Sequence, residues 1–157
     1  MTLKNWADIS IVMQGVFIPV SLVFVLLQLH KQVQLTRASN AQALVQISSP
    51  FNLLLIQDAK AVELWLHGAK RFETLEEVER AQYMGIVTWW LLLHENIFHQ
   101  GQMKLIEQEM YDSWQRDLAY FVRHHRLGTR WQKLRTYYHH DFALHVDSLI
   151  DEPGENP

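Results

Sequence analysis

Apolar positions along the chain form one uninterrupted block followed by a series of one-sided stripes. The block, residues 9–29, holds 21 residues with no charge, and 15 of them are Ile, Val, Leu, Met or Phe. As a helix it spans roughly 32 Å, against about 30 Å for a bilayer's hydrocarbon core. Ser10, Gln14, Ser21 and Gln28 interrupt it, but a helix satisfies its own backbone groups. Pro19 removes one helical hydrogen bond and predicts a modest kink. A core helix normally keeps a polar face, and this segment has none. The residues after it, HKQVQLTRAS, offer no small-x-small cleavage site of a signal peptide. The pattern therefore predicts a retained transmembrane anchor, with Trp6 at one interface and His30 and Lys31 at the other. Lys4 and Asp8 flank its start, whereas Lys31 and Arg37 follow it with no acid before Asp58. That asymmetry predicts that the bulk of the chain is cytoplasmic.

Helical periodicity continues beyond the block. Leu22, Leu26, Leu29, Val33, Thr36, Asn40, Ala43 and Ile47 alternate at spacings of four and three, a heptad-like seam that runs to Ser48-Ser49-Pro50. The first helix is predicted over about 9–48, near 60 Å. The seam either packs on the chain's own later helices, the favoured reading, or pairs with a second copy, where Asn40 would set the register. Pro50 behind Ser49 predicts a second helix burying Phe51, Leu54 and Leu55. Asp58 is placed to cap a short helix burying Val62, Leu64, Trp65 and Leu66 and ending near Gly68. Thr74 and Glu77 read as a capping box for a long helix to about Gln100. Ala81, Met84, Thr88, Leu91, Glu95 and Phe98 mark one of its stripes, widened by Tyr83, Ile86, Val87, Trp90 and Ile97. A further helix is predicted over 107–124, burying Met110, Tyr111, Trp114, Leu118 and Phe121, with Gly128 as a stop. Thr129 would cap a short helix with Trp131 and Leu134, and Asp141 a last one with Phe142, Leu144, Val146 and Ile150. No strand alternation, repeat or Gly/Ser linker is present. The fold class is all-α: a transmembrane helix that extends into a small helical bundle. The parts are an N-terminal flank 1–8, the anchor 9–29, the bundle 30–150 and a polar, mobile tail 151–157.

Composition narrows the chemistry. The chain has 157 residues, 48% hydrophobic and 20% charged, which excludes a disordered polyelectrolyte. It contains no Cys, so disulfides, thiolate metal sites and Cys nucleophiles are excluded. A net charge of −3 gives no pull toward nucleic acid, and no nucleic-acid partner is expected. There is no Gly-rich phosphate loop and no G-x-S-x-G.

Four local features invite a functional reading. His94-Glu95-Asn96-Ile97-Phe98-His99 has its histidines five apart, so they diverge around a helix and do not form the zinc motif H-E-x-x-H. Glu95 on an apolar stripe must be paired, hydrogen-bonded or protonated. With Asn96 and His99 it is a candidate ligand or proton site, or else a core carboxylate held by an indole, a tyrosine or an arginine. Residues 118–140 carry Arg123, Arg126, Arg130, Lys133 and Arg135 and no acid, whereas 73–117 holds nine acids. The basic stretch either meets anionic lipid or an acidic partner, or lies against the acidic helix. The pairs His124-His125 and His139-His140 point to different sides of a helix and chelate poorly, so no metal is assigned. Trp89 and Trp90 cannot both face one core, which marks one of them as an interface residue.

The anchor running into Lys31-Gln32 and Thr36, then Glu79-Arg80, Trp89 or Trp90, Glu95-Asn96-Ile97-Phe98, Ile106, Glu109, Trp114, Gly128, Trp131, Phe142 and Val146-Asp147 give the chain a familiar outline. It resembles small bacterial single-pass membrane-anchored helical proteins of unknown function over about residues 20–150. That pattern places Gly two residues before the position of Ile106, where this chain has Lys104. The resemblance implies fold and anchoring in a bacterial inner membrane and supplies no activity. The expected function is a non-enzymatic accessory or interaction subunit of a larger membrane complex or a homo-oligomer, in contact with membrane lipid and without a cofactor. Trp6, Asn40, Trp89 and the five cations of the basic stretch are the candidate contact residues. The alternatives are a small-molecule-binding or enzymatic bundle centred on Glu95, and an anionic-lipid sensor using 123–140.

Overall fold

The computed structural model describes the backbone of residues 3–151 and the side chains from Phe17 onward, Thr129 excepted. Six α-helices and no strand occur among the described residues: α1 Leu3–Gln57, α2 Ala59–Arg71, α3 Glu77–Gln102, α4 Gln108–His124, α5 Gly128–Leu134 and α6 His140–Asp151. Short 3-10 turns at Phe72–Thr74 and Arg135–Tyr137 follow α2 and α5. The all-α fold with a long apolar N-terminal helix is as the sequence implies. Trp6 and the first part of the apolar block lie outside the residues with described side chains, and the tail beyond Asp151 lies outside the described residues.

The chain divides into two units, residues 1–39 and 40–157. In the first, the large apolar side chains from Phe17 to Leu29 are between 46% and 69% exposed. Leu22, Leu26, Leu29 and Val33, the upper part of the seam, are among the exposed side chains. Helix α1 is unbroken through Pro19 and Pro50, so no separate helix begins at Pro50. The Ser48 and Ser49 hydroxyls donate to the Val45 carbonyl at 3.1 and 2.7 Å beside the bond that Pro50 cannot make, instead of capping a new helix.

In the second unit the inward stripe of α1 runs through Asn40, Leu44, Ser48, Phe51 and Leu55, with Leu44 and Phe51 buried. Ala43 is half-buried and Ile47 exposed, because a straight helix of 3.6 residues per turn drifts off a 3.5-residue repeat. Leu54, expected inside, is also exposed. Helix α2 lies on α3, α3 on α4, and α6 on both α3 and α4. Asp58 caps α2 as expected, its Oδ1 accepting from the Lys60 and Ala61 amides at 2.8 and 3.2 Å. Gly68 does not end that helix; a Cβ there would collide with the Tyr83 ring, so its role is close packing. Leu66 is exposed.

The capping box of α3 is displaced two residues from the expected one. Glu76 is the cap and Glu79 its partner, while the Thr74 hydroxyl closes the preceding turn on the Arg71 carbonyl. The buried line of α3 is Tyr83, Val87, Leu91, His94 and Phe98, with Leu93 and Ile97 on a second side. Ala81 is exposed, and Met84, Thr88 and Glu95 are half-buried. A helix packed on two sides has two stripes, and periodicity alone does not say which is deeper. Gly128 opens α5 behind Leu127 and does not end α4, so Thr129 lies inside the helix and is not its cap. In α6, His139 precedes the first turn, Asp141 sits within it, and Leu144 faces outward.

Two non-glycine residues have left-handed backbone, Lys104 at φ 57° and Arg126 at φ 49°. Each closes a helix: Leu105 N–H donates to Gln100 O after α3, and Leu127 N–H to Val122 O after α4. Since a Cβ in this region costs about 1 kcal/mol, Lys104→Gly is expected to raise domain stability by about that amount in urea unfolding.

Candidate functional site

The second unit is organised by aromatic rings. Phe51 enters from α1 and stacks on Trp89 at 5.0 Å and 14°, with Trp90 at 4.9 Å and Trp65 at 5.0 Å. Trp89 and Trp90 are both half-buried, because the inserted Phe51 gives each a face to pack on. Around these rings the end of α1, α2 and α3 leave a cleft of about 400 Å³. Its walls are chiefly Pro50, Phe51, Leu54, Ala61, Leu64, Ile86 and Trp89, with Gly85 on α3 and the polar side chains of Asp58, Lys60 and Gln82. Lys60 Nζ is held by Glu79 Oε1 at 3.2 Å. That contact lowers the Glu79 carboxyl below its usual range, and the Glu76 amide adds to it. Of the candidate residues, Trp89 lies in this cleft.

Glu95 is elsewhere. Its Oε1 accepts the His139 backbone N–H at 2.6 Å, so a carboxylate on α3 holds the positive start of α6. The partner is neither an indole, a tyrosine nor an arginine. His99 meets the His139 ring edge-on at 4.8 Å. Asn96 is exposed and accepts from Gln100 at 2.5 Å. Burial, with the Glu95 charge added, pushes the Tyr138 hydroxyl up to about 12. The main cavities among the described residues do not include Glu95, Asn96 or His99. Asn40 spends its amide on the Leu105 carbonyl at 3.2 Å, which fastens α1 to the loop after α3.

The basic stretch is divided between inside and outside. Arg130 donates to the His125 and Ala69 carbonyls at 3.0 and 2.9 Å, and its guanidinium lies 4.2 Å from the Phe72 ring centre. Arg135 donates to Asp147 Oδ2 at 2.7 Å, while Trp131 Nε1 donates to Oδ1 of the same carboxylate at 2.7 Å. Arg123, Arg126 and Lys133 are exposed. The first two border a groove of about 400 Å³ with Leu127, Leu149 and Ile150. Lys133 borders another of about 610 Å³ with Glu73, Glu77 and Arg80.

Two histidines that the sequence offered only as poor metal ligands, His94 and His125, are buried. His94, 1% exposed, donates from Nδ1 to the Trp90 carbonyl at 3.0 Å and faces Asp117 Oδ2 with Nε2 at 3.2 Å, near but not aligned as a hydrogen bond. The Tyr83 hydroxyl and His125 Nδ1 share a hydrogen bond at 3.0 Å. Burial, then the nearby His124 and Arg130, pushes His125 down to about 4. Burial pushes Tyr83 up to about 12. A histidine on an apolar stripe is the only signal the sequence holds for such groups, and many exposed histidines share it. Among the described residues no group of three or more His, Asp or Glu is placed to hold a metal ion.

Comparison with models of known families, with curated proteins and with solved structures finds no match for this chain. One helix among the described residues, near the N-terminus, is long and apolar enough to cross a membrane.

The His125 environment sets a pH dependence. The folded chain keeps this ring neutral down to about pH 4, whereas the unfolded chain protonates it below about 6.5. Its contribution is complete above pH 6.5 and falls as pH drops toward 4, by roughly 3 kcal/mol in all. Urea unfolding followed by Trp fluorescence is expected to show this loss, and His125→Gln to flatten it.

Proposed function

We propose that the chain is a single-pass membrane protein of a bacterial inner membrane. Its first unit lies in the bilayer, the bulk of the chain is cytoplasmic, and the second unit is an accessory or interaction module of a larger membrane complex or a homo-oligomer. The observation that carries this reading is the exposed apolar run of α1. Ten large apolar side chains between Phe17 and Leu29 have no protein cover. At about 1.5–3 kcal/mol for each fully buried side chain, scaled to their half-exposure, transfer to an apolar surrounding is worth on the order of 10 kcal/mol. A cleaved leader shares the length and apolarity, but the residues that follow offer no cleavage pattern. The charge difference across the segment supports the cytoplasmic orientation, and the resemblance to small bacterial anchored helical proteins supports the location.

The interaction role draws on the second unit. Val45, Leu53 and Ile56 on the far end of α1 are exposed, Ile56 by 81%. Apolar surface of this kind favours a contact role. Glu95 is a weaker centre for a ligand, because its carboxylate is occupied at the start of α6. A lipid-surface role would fall to the three outward cations, Arg123, Arg126 and Lys133.

Chemical cross-linking in native membranes followed by gel electrophoresis and mass spectrometry tests the role. A cross-linked companion or a multimer is expected; a monomer at every cross-linker dose would contradict it. The chain has no Cys, so single thiols at positions 4 and 148 report orientation. An impermeant maleimide is expected to label Lys4→Cys but not Ser148→Cys in intact spheroplasts.

A further inference from the structure

The cleft at Trp89 contains a glycine that the packing does not require. Gly85 stands in the interior of α3, where Gly costs about 1 kcal/mol relative to Ala. Gly68 and Gly101 have a steric reason, since a Cβ at either would run into the ring of Tyr83 or Tyr111. A Cβ at Gly85 would meet nothing within 4 Å. Its missing side chain instead leaves open the volume one turn before Trp89, in a cleft that three helices line and that opens to solvent at the exposed Gly85. At about 400 Å³ the space lies within the range of small-molecule sites. The apolar walls favour an apolar body.

The polar groups at the cleft narrow the ligand further. Lys60 is paired with Glu79, so its charge is satisfied. Asp58 uses Oδ1 for the two amides at the start of α2. Its Oδ2 makes no hydrogen bond among the described residues, which leaves one negatively charged acceptor. We propose that this cleft binds a small lipophilic molecule carrying a hydrogen-bond donor, an alcohol or an amine, with its apolar body against Phe51 and Trp89 and its donor on Asp58. A carboxylate ligand of the same shape is disfavoured by the like charge. The site is built from residues 50–89 and does not depend on the membrane reading or on a protein partner.

Titration calorimetry on the full chain in lipid nanodiscs, with empty nanodiscs as reference, tests the proposal. The probes are 2-naphthylmethanol and 2-naphthoate. Saturable binding of the alcohol is expected, falling stepwise through Gly85→Ala and by at least tenfold in Gly85→Leu, which fills the space. Naphthoate is expected to bind at least tenfold more weakly than the alcohol. Asp58→Asn, which keeps the helix cap, should narrow that gap. Both Gly85 variants should melt at or above the wild-type temperature; a lower value would contradict the open space on which the site rests. The proposal is overturned if the alcohol binds no better than to empty nanodiscs. It is overturned equally if Gly85→Leu binds as wild type, or if naphthoate binds as well as the alcohol. Failure in any of these ways leaves the membrane anchor untouched.

Discussion

An apolar helix surface with nothing to cover it is the constraint on which this protein turns. From Phe17 to Leu29 the backbone of α1 is satisfied within the helix, so only the side chains need a different solvent. Water is a poor one: each such side chain loses on the order of 1 kcal/mol even when half-exposed. Among the described residues of the first unit there is no second apolar surface to cover it. The environment of α1 therefore has to come from outside that unit, and a bilayer is the environment that matches its length and its lack of a polar face.

The second unit solves a different problem, which is how a helix with few charges on its inward side becomes part of a folded domain. Leu44 and Phe51 bury the end of α1 within it, Asn40 fastens the same helix to the Leu105 carbonyl, and Phe51 joins three tryptophans. Offset and edge-on ring pairs of this kind contribute about 0.5–1.5 kcal/mol each beyond burial. Several polar groups inside are matched: Asp147 takes both the Trp131 indole and Arg135, Tyr83 meets His125, and Glu95 holds the start of α6. These contacts explain why several residues with a chemical look are parts of the framework. They also explain why two of the five cations of the basic stretch, Arg130 and Arg135, are held within the domain.

Much of the architecture was readable from the residues because apolar blocks and strong caps act locally. The all-α class, the long first helix, the Asp58 cap and the extent of α4 all follow from signals within a turn or two. Pro50 reads as a start because proline usually is one, yet the helix continues while the serines before it absorb the loss. Gly68 and Gly128 read as stops, but one packs under a ring and the other opens a helix. The Thr74–Glu77 box lost to Glu76–Glu79 by two residues, since a carboxylate can cap as well as a hydroxyl. Gly68 was decided by a tertiary neighbour, whereas at Pro50 and at the start of α3 two local signals competed and periodicity does not choose between them. The cleft was invisible because its walls come from two separate stretches, 50–64 and 82–89, and its one local sign was a lone Gly85 within a helical stripe.

Alkaline carbonate extraction of native membranes, read by immunoblot of pellet and supernatant, addresses the anchoring claim most directly. Retention of the intact chain in the pellet, reversed by replacing Val23 and Leu26 together with Arg, is the outcome the account expects. Release of the intact wild-type chain into the supernatant would contradict it.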